Sequence, residues 1–219
     1  MNLQKDSLSD DDVDVRSMAA SSFQSLYSMV GSRAFDEVVP SLMVALEYNE
    51  DEESKTRALN GLVGILAVRS RELLPYIVPR LIKRPISINQ AQAISSIAEV
   101  TGSSIFYHFS QIVPAILGDL ADTAPGEDED RVLAVRDAAG SLCRNVGEAG
   151  IKVLISEIAS KCPSDKAAMR RESCLMFETL VSQSKFWKHY CLNADCVHDE
   201  EKYYSGCAAM KAFYYEISV

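Results

Sequence analysis

The sequence predicts an all-α protein, a right-handed α-solenoid of about four to five helical pairs. Two recurring patterns and one periodicity predict it. A short motif returns as Asp10-x4-Val15-Arg16, Asp51-x4-Thr56-Arg57, Asp130-x4-Val135-Arg136 and, more loosely, Ser164-x4-Met169-Arg170, each followed by small apolar residues. The four arginines stand 41, 79 and 34 residues apart, and the middle step is close to two units of about 40 residues, the span of a helical-pair repeat. The absent copy belongs near Ile88-Asn89-Gln90, with Gln90 in place of the arginine and Ala91, Ala93 and Ile94 continuing the small apolar run. Valine-proline also recurs, as Val39-Pro40, Val78-Pro79 and Val113-Pro114, at steps of 39 and 35 residues. Between these marks, apolar residues keep the three- and four-residue spacing of amphipathic helices.

The first helix is expected over Asp12 to Val30, with Val15, Met18, Ala19, Ser22, Phe23, Leu26 and Val30 on one stripe and Gly31 as its stop. A second runs from Phe35 to Tyr48 through Val38, Val39, Leu42 and Leu46, ending in the acidic turn Glu47 to Glu53. The next pair uses Leu59, Leu62, Val63 and Leu66, then Leu73, Leu74, Ile77, Val78 and Leu81, and a further pair spans Ala91 to Val100 and Ile105 to Leu120. The acidic insert Asp122 to Asp130, with Pro125-Gly126, reads as a solvated loop. Helices resume over Val132 to Val146, Ile151 to Ala159 and Ala167 to Val181, with Ser164 and Asp165 available as a cap. Proline near a helix start fits without penalty, whereas inside the helix it bends it. Its recurrence in one half of each unit supports a repeated helix. The period fails from about Lys185, so the expected organisation is a flexible N-terminus at 1–10, a solenoid segment at 11–185 and a divergent or non-native tail at 186–219.

Composition narrows the function classes. A formal net charge of −9 opposes a general affinity for nucleic acid, which needs a basic face to displace counterions from phosphate. No DNA partner is expected, although a local basic patch stays open. No apolar run approaches the roughly 20 residues of a membrane span, and Met1 to Asp6 lacks the basic flank and apolar core of a secretory signal. The expected location is cytoplasmic, and the six cysteines, Cys143, Cys162, Cys174, Cys191, Cys196 and Cys207, are expected as reduced thiols.

An Asp-x4-Val-Arg motif opening one helix, with proline in the other, is the signature of HEAT repeats, making the solenoid HEAT/armadillo-like. The stretches Ser9 to Ala20, Val30-Gly31-Ser32-Arg33-Ala34 and Ala67-Val68-Arg69-Ser70-Arg71-Glu72-Leu73-Leu74-Pro75-Tyr76-Ile77-Val78-Pro79 resemble the general-control translational activators. The likeness is best over Leu8 to about Arg84, moderate to Lys185 and absent beyond. It implies a non-catalytic scaffold in translational control, whose partners are the ribosome and the initiation factor 2 alpha kinase, acting in the amino-acid starvation response by conveying uncharged-tRNA status. The chain is far shorter than such proteins and opens on the second helix of a pair, so it reads as a fragment of a longer array. A HEAT adaptor of another kind, a transport receptor or phosphatase scaffold, is the alternative.

The repeat residues Asp10, Arg16, Asp51, Arg57, Asp130, Arg136 and Arg170 are expected to be architectural. An aspartate at a helix start accepts backbone amides, and arginine offers five donors to tie neighbouring turns. Arg69, Arg71, Arg80, Lys83 and Arg84, offset only by Glu72 between residues 69 and 84, are the candidate partner-binding cluster, for ribosomal RNA or an acidic protein. In the tail, His189-x-Cys191-x4-Cys196-x-His198 holds four potential zinc ligands, but its one-residue gaps depart from recurring zinc spacings and no metal is expected. His108 pairs with no nucleophile. Walker loops, nucleophile elbows and kinase signatures are missing, so neither an enzyme nor a cofactor is expected.

Overall fold

Eight α-helices and one 3₁₀ turn make up the described part of the chain, residues 7–30, 33–48, 51–124 and 126–185 of a computed structural model. They are α1 (Val13–Val30), α2 (Arg33–Tyr48), α3 (Glu52–Leu81), α4 (Ile88–Thr101), the 3₁₀ turn Ile105–His108, α5 (Phe109–Asp122), α6 (Glu129–Asn145), α7 (Glu148–Ala159) and α8 (Ala167–Gln183). No strand occurs among the described residues. None of the helices is long and apolar enough to cross a membrane.

The sequence motifs fall at every second helix start. α1, the first half of α3, α4, α6 and α8 carry them and pack in succession, α1 on α3, α3 on α4, α4 on α6 and α6 on α8. The intervening helices are α2, the second half of α3, the 3₁₀ turn with α5, and α7. They form the other layer, joined through α2 on α3, the 3₁₀ turn on α3, and α5 on α7. The result is the all-α stack of helical pairs the sequence predicts.

Small residues after each motif set the spacing within the motif layer. Ala91, Ala93 and Ala98 of α4 and Ala138, Ala139 and Gly140 of α6 are buried, and the Ser141 hydroxyl donates to the Ser95 carbonyl at 3.3 Å across that pair. Larger side chains there would hold the two backbones apart. Branched and aromatic residues of the intervening helices, such as Leu73, Ile77, Phe109, Ile116, Ile151 and Leu154, fill the space between layers.

The two halves of α3 meet with a single non-helical residue, Arg69 (φ −138°, ψ 48°), between them. The turn between helices that the two apolar stripes imply there is this one kink. Two stripes also sit differently from the periodicity reading. Among the side chains of α1 that the structure describes, Ala19, Ala20 and Phe23 are buried, whereas Met18 is 71% exposed and Val15 38%. On α3 the core takes Gly61 and Ile65 beside Leu62 and Leu66, leaving Leu59 and Val63 half-buried. Gly61 is required by close approach, since a methyl group there would stand 2.8 Å from the carbonyl oxygen of Leu8, a fully buried residue. Of the stretch 1–10, residues 1–6 lie outside the described part, as does all of 186–219 with its His and Cys set.

Candidate functional site

Alternation of the two helix types gives the stack two edges. Turns leading into motif helices line one edge, and turns leading out of them line the other. The first edge is built on the repeat residues. Asp51 caps α3, its carboxylate accepting from the amides of Glu53 (3.3 Å) and Ser54 (3.0 Å) and from the Ser54 hydroxyl (2.7 Å). The Ser54 hydroxyl and amide and the Glu53 amide hold that carboxyl below its ordinary range, Arg57 adding to the effect. Ser87 caps α4 through a reciprocal box with Gln90, whose side-chain amide also donates to the Arg80 carbonyl at 3.0 Å. Gln90 therefore serves the turn where the arginine is missing.

Arg16 and Arg170 act alike, and neither engages an aspartate carboxylate in this role. Arg16 donates to the carbonyls of Asp10 (2.8 Å) and Asp11 (3.0 Å), and Arg170 to those of Ser164 (2.9 Å) and Asp165 (3.1 Å). The arginine thus closes the turn on the residues six and five positions before it. Ser164 and Asp165 give backbone acceptors here, while Lys166 holds the N-cap position without a side-chain cap bond. Arg57 spreads over Asp11 (3.9 Å), Asp51 (4.0 Å), Glu53 (3.4 Å) and the Ser54 hydroxyl (3.2 Å).

At the motif that opens α6 the roles shift. The N-cap of α6 is Asp128, in the left-handed region at φ 46°, and Asp130 does not cap. Arg131 takes the closing role with a wider reach. It donates to Asp119 (2.5 Å), the Thr123 hydroxyl (2.7 Å) and the Ile86 carbonyl (3.3 Å), and pairs with Asp128 at 3.2 Å. Asp119 is only 4% exposed and its other oxygen accepts from the Ile86 amide at 3.1 Å. Arg136 instead reaches the next motif helix, giving Glu172 two bonds at 3.0 and 2.7 Å while Arg171 donates to the same carboxylate at 3.0 Å. Burial pushes the Glu172 carboxyl up, but the bonds and charges of Arg136 and Arg171 outweigh it and leave it below the ordinary value. Arg136 and Glu172 line an open groove of about 340 Å³ between α5, α6 and α8, together with Leu117 and Leu120.

The candidate basic cluster divides between the two edges. Arg71 and Arg80 stand at opposite ends of the second half of α3, about 14 Å apart at 1.5 Å per residue. At the first edge Arg80 and Lys83 are exposed, while Arg84 pairs with Asp122 at 3.0 Å and lies over Gly118. Asp122 also takes Lys166 at 2.7 Å, and the Lys166 bond, foremost, lowers its carboxyl. Acidic turns flank these cations, Asp51 to Glu53 on one side and Glu127 to Asp130 on the other. At the second edge Arg69 meets Glu72 at 3.1 Å, and the Arg71 guanidinium stands 5.7 Å from the centre of the Tyr107 ring, itself stacked on Phe106. Tyr107 is 59% exposed, and partial burial lowers the neighbouring His108 imidazole.

Sequence reasoning missed Asp119, Arg131 and Glu172. Asp119 carried a signal, an acid inside the otherwise apolar run Ile112 to Leu120. Among the described residues no group of His, Cys, Asp and Glu is arranged to hold a metal ion.

Residues 73–191 match the family model described as "Stalled ribosome sensor GCN1-like, HEAT repeats". The chain is 34% identical over 143 residues, 65% of its length, to the eIF-2-alpha kinase activator GCN1 of Dictyostelium discoideum. It is 32% identical over 171 residues, 78% of its length, to the eIF-2-alpha kinase activator GCN1 of Saccharomyces cerevisiae, and 28% identical over 172 residues, again 78%, to the human stalled ribosome sensor GCN1. It spans about 5 to 6% of the length of these relatives. No solved structure matches significantly. The repeated turn closures, the two helix layers and the family match over more than half of the chain agree, and the chain belongs to the GCN1-like HEAT-repeat family.

Proposed function

We propose that this segment is a non-catalytic, cytoplasmic HEAT scaffold in translational control, which lies along the ribosome and contributes to activation of the eIF-2-alpha kinase. The observation that carries the reading is the family match over residues 73–191, supported by relatives named for ribosome sensing and for kinase activation. Stacked repeats suit such a task because they present separate patches to several partners at once.

Arg80 and Lys83 are the contact candidates within the basic cluster. They are exposed and make no side-chain ion pair among the described residues, whereas Arg69, Arg71 and Arg84 are engaged at home. A track for nucleic-acid phosphates needs successive cations. The acidic turns on both sides interrupt any such track, which favours an acidic segment of a protein partner.

Affinity capture from a cell lysate with the 219-residue chain tests the scaffold role. Recovery of ribosomal proteins and the kinase supports it, and recovery of transport cargo or phosphatase subunits in their place overturns it. The Arg80→Glu, Lys83→Glu double variant is expected to lose most of the captured partner at unchanged melting temperature. Undiminished capture would remove these two residues from the contact.

A further inference from the structure

Two bridges tie α6 to α8. Arg136 reaches Glu172 nearer the first edge, and Arg144 donates to the Gln183 side chain at 3.2 Å nearer the second. From the first bridge toward the second runs the groove of about 340 Å³, to which α6 contributes the small Ala139 and Gly140, α5 Leu117 and Leu120, and α8 Leu175 and Met176. The neighbouring seam between α4 and α6 closes on small residues from both helices, whereas here α8 brings large ones and the gap stays open. Leu175 is 42% exposed although it lines the groove, and Leu133, on the same side of α6 as Arg136 and Gly140, is 68% exposed.

Arg171, Leu175 and Glu178 follow one another at steps of four and three, so they form a single exposed stripe along α8. Its charge has a direction. Arg136 and Arg171 share the one Glu172 carboxylate, at 2.7 and 3.0 Å, which leaves a positive charge in excess at that end. Glu178 lies about 10 Å further along the helix, at 1.5 Å per residue, and makes no ion pair among the described residues. On the α6 side Asp137 and Arg144 neutralise each other at 3.1 Å. The surface therefore presents a cation, a leucine and an acid in order, with an apolar slot beside the leucine.

We propose that the α6–α8 groove is a docking site for an amphipathic helix of a protein partner, one that carries an acid, then an apolar pair one turn on, then a base two turns on. The acid meets Arg171, the apolar pair enters the groove against Leu175 and Met176, and the base meets Glu178. A helix suits the site because the groove runs between two helices, and only a ridge of the same period keeps step with the stripe on α8. This gives the scaffold a contact separate from Arg80 and Lys83, so either one stands if the other fails.

The probe is a fluorescein-labelled, alanine-based peptide of about 20 residues, long enough to be helical, with glutamate, two leucines and lysine at those spacings. Its fluorescence anisotropy is followed in dilute salt as the 219-residue protein is added. Saturable binding is expected, weakened about tenfold or more by Leu175→Asp at unchanged melting temperature. Glu178→Lys, which disturbs no buried bond, should weaken it about threefold, and a peptide with glutamate in place of its lysine should regain that loss on this variant alone. Absence of saturable binding would overturn the proposal, as would an affinity indifferent to Leu175→Asp or a charge exchange that restores nothing. So would sedimentation of the protein alone as a dimer that Leu175→Asp abolishes, since a second copy would then be the occupant.

Discussion

Two arginines at the same edge of the stack differ in what they hold, and their removal should differ accordingly. Arg57 is about one-third exposed and its ion pairs span 3.4 to 4.0 Å, the range in which surface pairs contribute about 0 to 1 kcal/mol. Arg131 neutralises a carboxylate that is 4% exposed, so Arg131→Ala strands a buried charge at a cost of about 3 kcal/mol or more. Denaturant titrations should show Arg131→Ala as the far larger loss, and equal losses would refute the ranking. Glu172 makes the same point through pH. Its folded carboxyl sits below the ordinary 4.5, so the stability it contributes is complete above that value and disappears as pH falls through the lower, folded value. Glu172→Gln is expected to cost about 1.5 to 3 kcal/mol at neutral pH and to weaken the acid-induced decline below about pH 4.5. A melting profile of unaltered slope in that acid range would count against it. The sequence showed which arginines recur, but a recurring residue does not reveal its acceptor. Arg16 and Arg170 turned to backbone carbonyls, and Arg136 to a helix one repeat away.

Helix α3 offers a comparison within a single turn. Gly61 faces the Leu8 carbonyl at a distance no side chain tolerates, while nothing lies within 4 Å of a methyl group placed on Gly64. Gly64→Ala should therefore stabilise by about 0.5 to 1 kcal/mol, the ordinary helical preference for alanine. Gly61→Ala should destabilise by displacing Leu8, and opposite shifts in thermal midpoint check the pair. Helix positions were largely legible from periodicity because every core-facing stripe repeats at helical spacing. Less legible was where each stripe is centred. The choice of Ile65 over Val63, or of Ala20 over Met18, depends on what lies across the layer, and a one-residue rotation hardly disturbs the pattern in sequence. The kink at Arg69 was hidden for a related reason, since one non-helical residue leaves the flanking apolar spacing nearly intact.

Across the whole stack, stability is shared between neighbours, so a repeat with a neighbour on each side should open less often than one at an end. Amide hydrogen exchange of the 219-residue chain is expected to be slowest in α4 and α6, whose packing on each other is the most extensive between helices, and faster in α1 and α2. Uniform exchange along the array would contradict this. The solenoid itself was readable from spacing alone, but the division of the basic cluster was not. Arg71 and Arg80 are near in sequence, and a rigid helix sends them to opposite edges. Asp122 reverses that relation, because its carboxylate takes Arg84 from the preceding turn and Lys166 from the following one. Each of its bonds reaches only the adjacent turn, as contacts in stacked repeats ordinarily do, but the shared carboxylate couples the turns of Arg84 and Lys166, which are second neighbours. Each link is exposed and weak, and salt loosens it. Together they behave as a soft spring spanning three successive turns, which resists flexing of that edge in dilute salt and yields as ionic strength rises.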